Sequence, residues 1–193
     1  MRRFFLTGLL LGFCLGGFVQ SLWSVCEGNF HSPTYTVSDN YCVSEVEEIL
    51  MSDCEGGDYK RFIKGISDLL GVDPVVCLAI MEVENPTEDP LCVHINDNGT
   101  VDLGLFQLNS NYIDYFKDRY WDFSFGFNPM NGFHNAYVAM RLIGGLYSLL
   151  GDWDGVVMAY NCGYTCVMNG SVPKSTEIYF GRVKTIMERI SED

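Results

Sequence analysis

The chain has 193 residues, is 48% hydrophobic, and carries 25 acidic against 12 basic side chains for a formal net charge of −13. That length and apolar content suit one folded domain with a real hydrophobic core and exclude a disordered polypeptide. The acidic balance excludes nucleic-acid binding through phosphates, which takes Lys and Arg, and argues against adhesion to anionic membranes; neutral glycans stay open as substrates.

The N-terminus reads as a targeting segment. Arg2 and Arg3 precede an uncharged apolar run from Phe4 to Val19, and Val19-Gln20-Ser21 offers small residues for cleavage. Residues 1–21 are therefore expected to be a signal peptide. The second reading is an uncleaved anchor reaching to Val25, since the uncharged run is long enough to span a bilayer. A lipidated Cys26 is the third, although Trp23-Ser24-Val25 fits a lipobox poorly. All three export the domain to the periplasm, the cell envelope or the exterior. Loss of residues 1–21 removes two Arg and no acid, taking the formal charge from −13 to −15.

Residues 22–41 are read as a linker and 42–193 as the domain. A first helix is expected from Ser44 to Cys54, broken by Gly56-Gly57. A second runs from Tyr59 to Leu70, with Phe62, Ile63, Ile66, Leu69 and Leu70 in an apolar stripe and Gly71 as its stop. Asp73 is an N-cap with Pro74 at the first helical position, and the helix that follows continues to Glu84, where Pro86 prevents extension. It is apolar nearly all round, which marks a central, buried helix. From Thr87 to Leu103 turn signals dominate, among them Asn96-Asp97-Asn98-Gly99, and predict a loop with a small hairpin. A short helix is expected after Gln107. A long one opens at Asn128-Pro129 and reaches Leu150, with Met130, Phe133, Tyr137, Met140 and Leu146 inward. Asp152 caps the next, Trp153 to Asn161, and Ser175 or Thr176 starts the last, which ends near Ile190. The fold class is α+β, mainly α: a single domain with a small β/loop element.

Of the eight cysteines, Cys14 falls in the targeting segment. In an exported protein the other seven read as disulfide staples with one left over. Chain neighbours suggest Cys42–Cys54, Cys77–Cys92 and Cys162–Cys166, with Cys26 the odd one, though spacing does not fix connectivity. No CxxC pair occurs, and His31, His94 and His134 lack ligand spacing, so no metal and no other cofactor is expected. Asn96-Asp97-Asn98-Gly99 fails as a calcium loop, because its first ligand position falls on His94 and no Glu follows at the right distance.

Chemistry concentrates at the end of the buried helix. A glycosidic oxygen leaves poorly until it is protonated, and a carboxyl that protonates it near neutral pH needs a raised pKa. Desolvation and the negative end of a helix dipole both raise it. Glu84 has both, on the face of Cys77, Ile80 and Met81. Glu82 is its competitor, two positions away and pointing to a roughly opposite side. On helix logic alone, both read equally well as surface carboxylates at a fraying end.

Three ordered motifs carry a resemblance that separates them. They are Ala79-Ile80-x-x-x-Glu84-Asn85, then Asn98-Gly99-Thr100-Val101-Asp102-Leu103-Gly104-Leu105-Phe106-Gln107-Leu108-Asn109, then Ala159-Tyr160-Asn161-x-Gly163. Together they resemble the lysozyme-like lytic transglycosylases, with the nearest likeness to the small exported ones that accompany bacterial secretion and conjugation machines. Asn128-Pro129-x-Asn131 and Thr176-x-x-Tyr179-x-x-x-Val183 fit the same pattern, so the likeness covers about residues 60–190. It implies a lysozyme-like fold and cleavage of the β-1,4 bond between N-acetylmuramic acid and N-acetylglucosamine in peptidoglycan strands. It implies Glu84 as the sole catalytic acid and base, with a 1,6-anhydro product. Gln107 would sit in the substrate groove, Tyr160 would orient the acid, and Asn161 would support that wall. The implied partners are the glycan strands and an envelope-spanning secretion or conjugation assembly, with the enzyme a monomer. The chain departs from the family in having Asn85 where Ser follows the acid, and Phe106 where Met precedes the Gln.

Asn98 to Gly104 also resembles the segment of c-type lysozymes that bears their second carboxylate. Asp102 then has two readings: a brace for the turn before Gly104, which is preferred, or the second carboxylate of a hydrolytic muramidase. From a different class, a non-catalytic peptidoglycan-binding or assembly module has only the departures at Asn85 and Phe106 in its favour. Aromatics are dense from Tyr112 to Phe127 and are read mainly as packing, with some available to stack on sugars.

Overall fold

The structure is a computed structural model, and it describes residues 43–51 and 57–192. The expected signal peptide, linker and Cys42–Cys54 bridge lie outside these residues. Among the described residues eight helices and a three-stranded sheet follow in order: α1 Val43–Met51, α2 Tyr59–Leu70, α3 Pro74–Glu84, β1 Val93–Ile95, β2 Val101–Leu103, β3 Leu108–Asn109, a 3-10 turn Ser110–Tyr112, α4 Ile113–Tyr120, α5 Gly132–Leu150, α6 Trp153–Cys162, α7 Tyr164–Met168 and α8 Lys174–Glu192. The architecture is the expected mainly α domain with a small β element. None of the described helices is long and apolar enough to cross a membrane.

α3 is the axis of the core. Asp73 Oδ1 accepts from the Val75 amide at 2.8 Å and Pro74 occupies N1, so the start is fixed as its sequence dictates. Val76, Cys77, Leu78, Ala79, Ile80 and Met81 are all buried, against α8 chiefly and against α2 and α6 as well. α2 has the narrower apolar stripe of a helix with one side to water, and Gly71 closes it in the left-handed region at φ 63°.

The loop after α3 builds an antiparallel sheet in the order β1-β2-β3. Asn96 to Thr100 form the hairpin turn, with Gly99 at φ 82°. His94, Asp102 and Asn109 stand in one row across the three strands. The apolar face of β1 is uncovered: Leu91, Val93 and Ile95 are exposed.

Three expectations need correction. α5 starts at Gly132, because Asn131, not Asn128, caps it by accepting from the Phe133 and His134 amides. Asn128 instead makes the preceding turn, accepting from Met130 N through its side chain and from Asn131 N through its carbonyl, which leaves Met130 outside the helix. α7 was not anticipated, since five residues carry too little periodicity to read. Finally, the expected Cys77–Cys92 bridge is absent, while Cys162 and Cys166 lie beside each other, their thiols interacting. Cys77 is sealed in the core of α3 while Cys92 lies on the loop before β1, so no bridge joins them.

Residues 121–127 form an alternating ribbon. Trp121, Phe123, Phe125 and Phe127 are half-buried, and Asp122, Ser124 and Gly126 between them are exposed. The rings pack edge-on and tilted around Trp121, whose indole N–H donates to the Phe125 carbonyl at 2.7 Å. The ribbon covers α5 at His134 and Tyr137, the packing role expected of these aromatics.

Candidate active site

Glu84 is the last residue of α3, where the apolar helix delivers it. Its Oε1 is closed off from solvent and has no hydrogen-bond partner. Burial raises its pKa from 4.5 to about 8. The Tyr179 hydroxyl beside it offsets part of that rise, and the charge of Asp102 adds to it. Neither Glu84 Oε1 nor Tyr179 Oη completes a hydrogen bond of good geometry. Among the described residues three buried side-chain polar atoms lack a partner, and these are two of them. Buried polar groups are ordinarily paired, so two adjacent exceptions make this end of α3 a candidate for chemistry.

Glu82 is engaged elsewhere. Arg189 of α8 donates through Nη2 to both of its carboxylate oxygens, at 2.5 and 2.6 Å, on the surface. The two candidates on α3 thus differ in kind: one is paired with a cation at the surface, and the other has a carboxyl oxygen sealed from solvent with no cation bonded to it.

Asp102 is fully buried on β2. Its Oδ2 accepts from Asn96 Nδ2 at 2.9 Å and its Oδ1 from Asn109 Nδ2 at 2.7 Å. Both amides also donate to Thr100 Oγ1, at 3.0 Å each. Burial raises the Asp102 pKa, against which the two amides and His94 pull down. Asp102 therefore anchors a polar network that pins the hairpin to β3, in which Asn96 Oδ1 is the one buried atom left without a partner.

The turn from Gly104 to Gln107 faces this network. Gly104 sits at φ 75°, and a Cβ there would lie 2.5 Å from Asn135 Nδ2 and 2.9 Å from the Pro129 carbonyl, so only glycine fits. Its carbonyl accepts from Gln107 Nε2 at 2.7 Å and from Asn85 Nδ2 at 3.2 Å. Gln107 itself holds a left-handed backbone at φ 50°, one of two non-glycine residues to do so among those described. Phe106 fills the apolar slot and is fully buried.

Asn85 caps α3 and is buried. Its Nδ2 also donates to the Asp89 carbonyl at 2.7 Å, and its Oδ1 accepts from Thr87 at 2.8 Å. The residue after the acid thus ties the helix end to the Gly104 turn. Tyr160, on α6, donates its hydroxyl to the Phe106 carbonyl at 2.8 Å, while burial, and after it the charge of Glu84, raises its pKa well above the ordinary value. It is close to the acid but holds the turn. Asn161 accepts from Thr176 Oγ1 at 2.7 Å, which fastens the end of α6 to the start of α8.

Two residues at this site were not singled out by sequence. Tyr179 stands in the pattern Thr176-x-x-Tyr179-x-x-x-Val183, but only the packing of α8 on α3 brings it to Glu84. Asn135 lies within α5, fully buried, and nothing in the sequence distinguishes it from a surface amide. Among the described residues no group of three or more His, Cys, Asp or Glu could hold a metal ion.

A family model described as Transglycosylase SLT domain matches residues 62–176. No curated protein matches the chain, and no solved structure does.

Proposed function

The chain belongs to the transglycosylase SLT domain family, the lysozyme-like lytic transglycosylases of peptidoglycan, and from that premise we propose that Glu84 is its catalytic acid and base. The observation that carries this reading is the state of Glu84, a carboxyl with a pKa near 8 and an oxygen that no protein group occupies. At neutral pH it holds a proton to give.

The reaction runs in two steps on one carboxyl. Glu84 donates its proton to the glycosidic oxygen between N-acetylmuramic acid and N-acetylglucosamine as the C1–O bond breaks. The sugar's N-acetyl group stabilises the cationic centre at C1. The Glu84 carboxylate then takes the proton from the 6-hydroxyl of the same sugar as that oxygen attacks C1, giving a 1,6-anhydro end and restoring the acid. Such substrate assistance dispenses with a second protein carboxylate. Gln107 and the Gly104 turn form the facing side of the groove, Tyr179 sits beside the acid, and Tyr160, Asn85 and Asn161 hold the walls.

The runner-up is a hydrolytic muramidase with Asp102 as second carboxylate. Its nearness to Glu84 favours that reading, while full burial and two occupied oxygens favour the brace. Mass spectrometry of the products from purified sacculi decides. Anhydro ends, lighter by one water than reducing ends, are expected; reducing ends would move the assignment to hydrolysis, and no soluble muropeptides would leave a binding module. The substrate puts the enzyme in the periplasm or envelope, and the motif pattern supports an envelope-spanning secretion or conjugation assembly as partner for a monomeric enzyme. Co-purification from detergent-solubilised envelopes tests that last point.

A further inference from the structure

Asn135 makes contacts of an unusual kind for a residue inside a helix. Its Oδ1 accepts from the Phe106 amide at 2.8 Å, and its Nδ2 donates to the Leu103 carbonyl at 2.8 Å and to the Pro129 carbonyl at 3.0 Å. One side-chain amide thus serves the turn as a neighbouring strand would, offering a donor and an acceptor to the backbone on either side of Gly104. The closeness is exclusive: a Cβ on Gly104 would lie 2.8 Å from Asn135 Cγ. From the turn so held, two links run to the acid. The Phe106 carbonyl takes the Tyr160 hydroxyl, and the Gly104 carbonyl takes the amide of Asn85, the residue next to Glu84.

We propose that Asn135 is a positioning residue for the cleavage reaction, fixing the Gly104–Gln107 turn against α5 so that the groove keeps its register with Glu84. The proposal rests on the assignment of Glu84 and this turn to the two sides of one groove. Its physical content is a matching of hydrogen-bonding groups. Phe106 needs an acceptor, Leu103 and Pro129 each need a donor, and among the side chains as short as this one only a carboxamide supplies an acceptor together with two donor hydrogens. The site is fully buried, so water does not replace what is lost.

Asn135→Asp tests it. The ionised carboxylate still accepts from Phe106 but faces two carbonyls with no proton to give. The protonated acid restores one donor, and burial raises the pKa at which that happens. The expected kcat on peptidoglycan strands is within a few-fold of wild type near pH 5 and about tenfold to a hundredfold lower near pH 7, with wild type level between them and KM changed by less than about threefold. Asn135→Ser is the second variant, should the first not fold. Its kcat should fall about tenfold at every pH, with faster hydrogen exchange at the Phe106 amide while amides of α3 stay protected. A constant Asp-variant to wild-type ratio across pH, or an unchanged kcat in Asn135→Ser, overturns the proposal. A wild-type enzyme that releases no muropeptides overturns the site assignment instead, and the proposal falls with it.

Discussion

The two sides of the proposed groove are built on opposite principles. On the α3 side an apolar helix ends in a carboxyl whose Oε1 has no partner, beside a tyrosine hydroxyl that is equally unpaired. On the sheet side both oxygens of Asp102, the amide of Asn135 and the carbonyl of Gly104 are all engaged. Both regions contain a buried carboxyl, and burial raises both pKa values. What separates them is hydrogen bonding. A saturated carboxylate is held in place and has nothing left to exchange. Glu84 keeps its proton because burial outweighs the partial stabilisation of its charge by the Tyr179 hydroxyl.

The sharpest test of this contrast is Glu84→Gln. It should lower kcat by about a thousandfold or more while the circular dichroism spectrum stays native, because the proton donor is lost and the shape is kept. Persisting activity, with the loss appearing in Glu82→Gln instead, would reverse the assignment. Asp102→Asn comes next. An amide there presents one acceptor to two donating asparagines, so unfolding by urea should show a loss of about 1–3 kcal/mol, with kcat falling far less than in Glu84→Gln. A kcat loss as deep as that of Glu84→Gln would make Asp102 a reacting group and erase the contrast.

The pH dependence follows in size. Glu84 is raised in the folded state, so the folded protein holds a proton that the unfolded chain releases above about pH 4.5. Its contribution to stability is complete below that pH, declines as pH climbs, and is fully lost above about 8. Wild type should therefore lose stability relative to Glu84→Gln across this window, and kcat should fall on the alkaline side near pH 8. Parallel melting curves at all pH values would deny the unpaired burial of Glu84. Smallest of all is Glu82→Gln. It breaks a surface pair with Arg189 and should cost less than about 1 kcal/mol by thermal melting, with kcat unchanged.

Legibility in the sequence follows the same division. α3 declares itself through Asp73, Pro74 and an unbroken apolar run, and Glu84 could be read from where that run stops. The cap at Gly71 and the hairpin at Asn96–Gly99 are equally local in cause. The sheet side is not. Asp102 shows only a carboxylate in a turn-rich stretch, and its partners Asn96 and Asn109 flank it in sequence without announcing that both face it. Asn135 and Tyr179 are further removed, because each acquires its role from a helix packed far along the chain. Helical periodicity cannot tell an amide that replaces a strand from one that faces water. The misplaced start of α5 has a smaller cause: Asn128 and Asn131 are both competent caps, and only the turn between them decides.

Cys77 turns the core into a clock. Its thiol is buried, and burial, with the charge of Asp73 added, pushes its pKa far up, so native α3 offers almost no thiolate to an alkylating reagent. Cys92 and Cys166 are partly exposed, so they should label in the folded state. Slow labelling at Cys77 then counts the openings of the helix that ends in Glu84. Peptidoglycan fragments that slow that labelling would show, without any assay of cleavage, that a ligand in the groove steadies the helix beneath the acid.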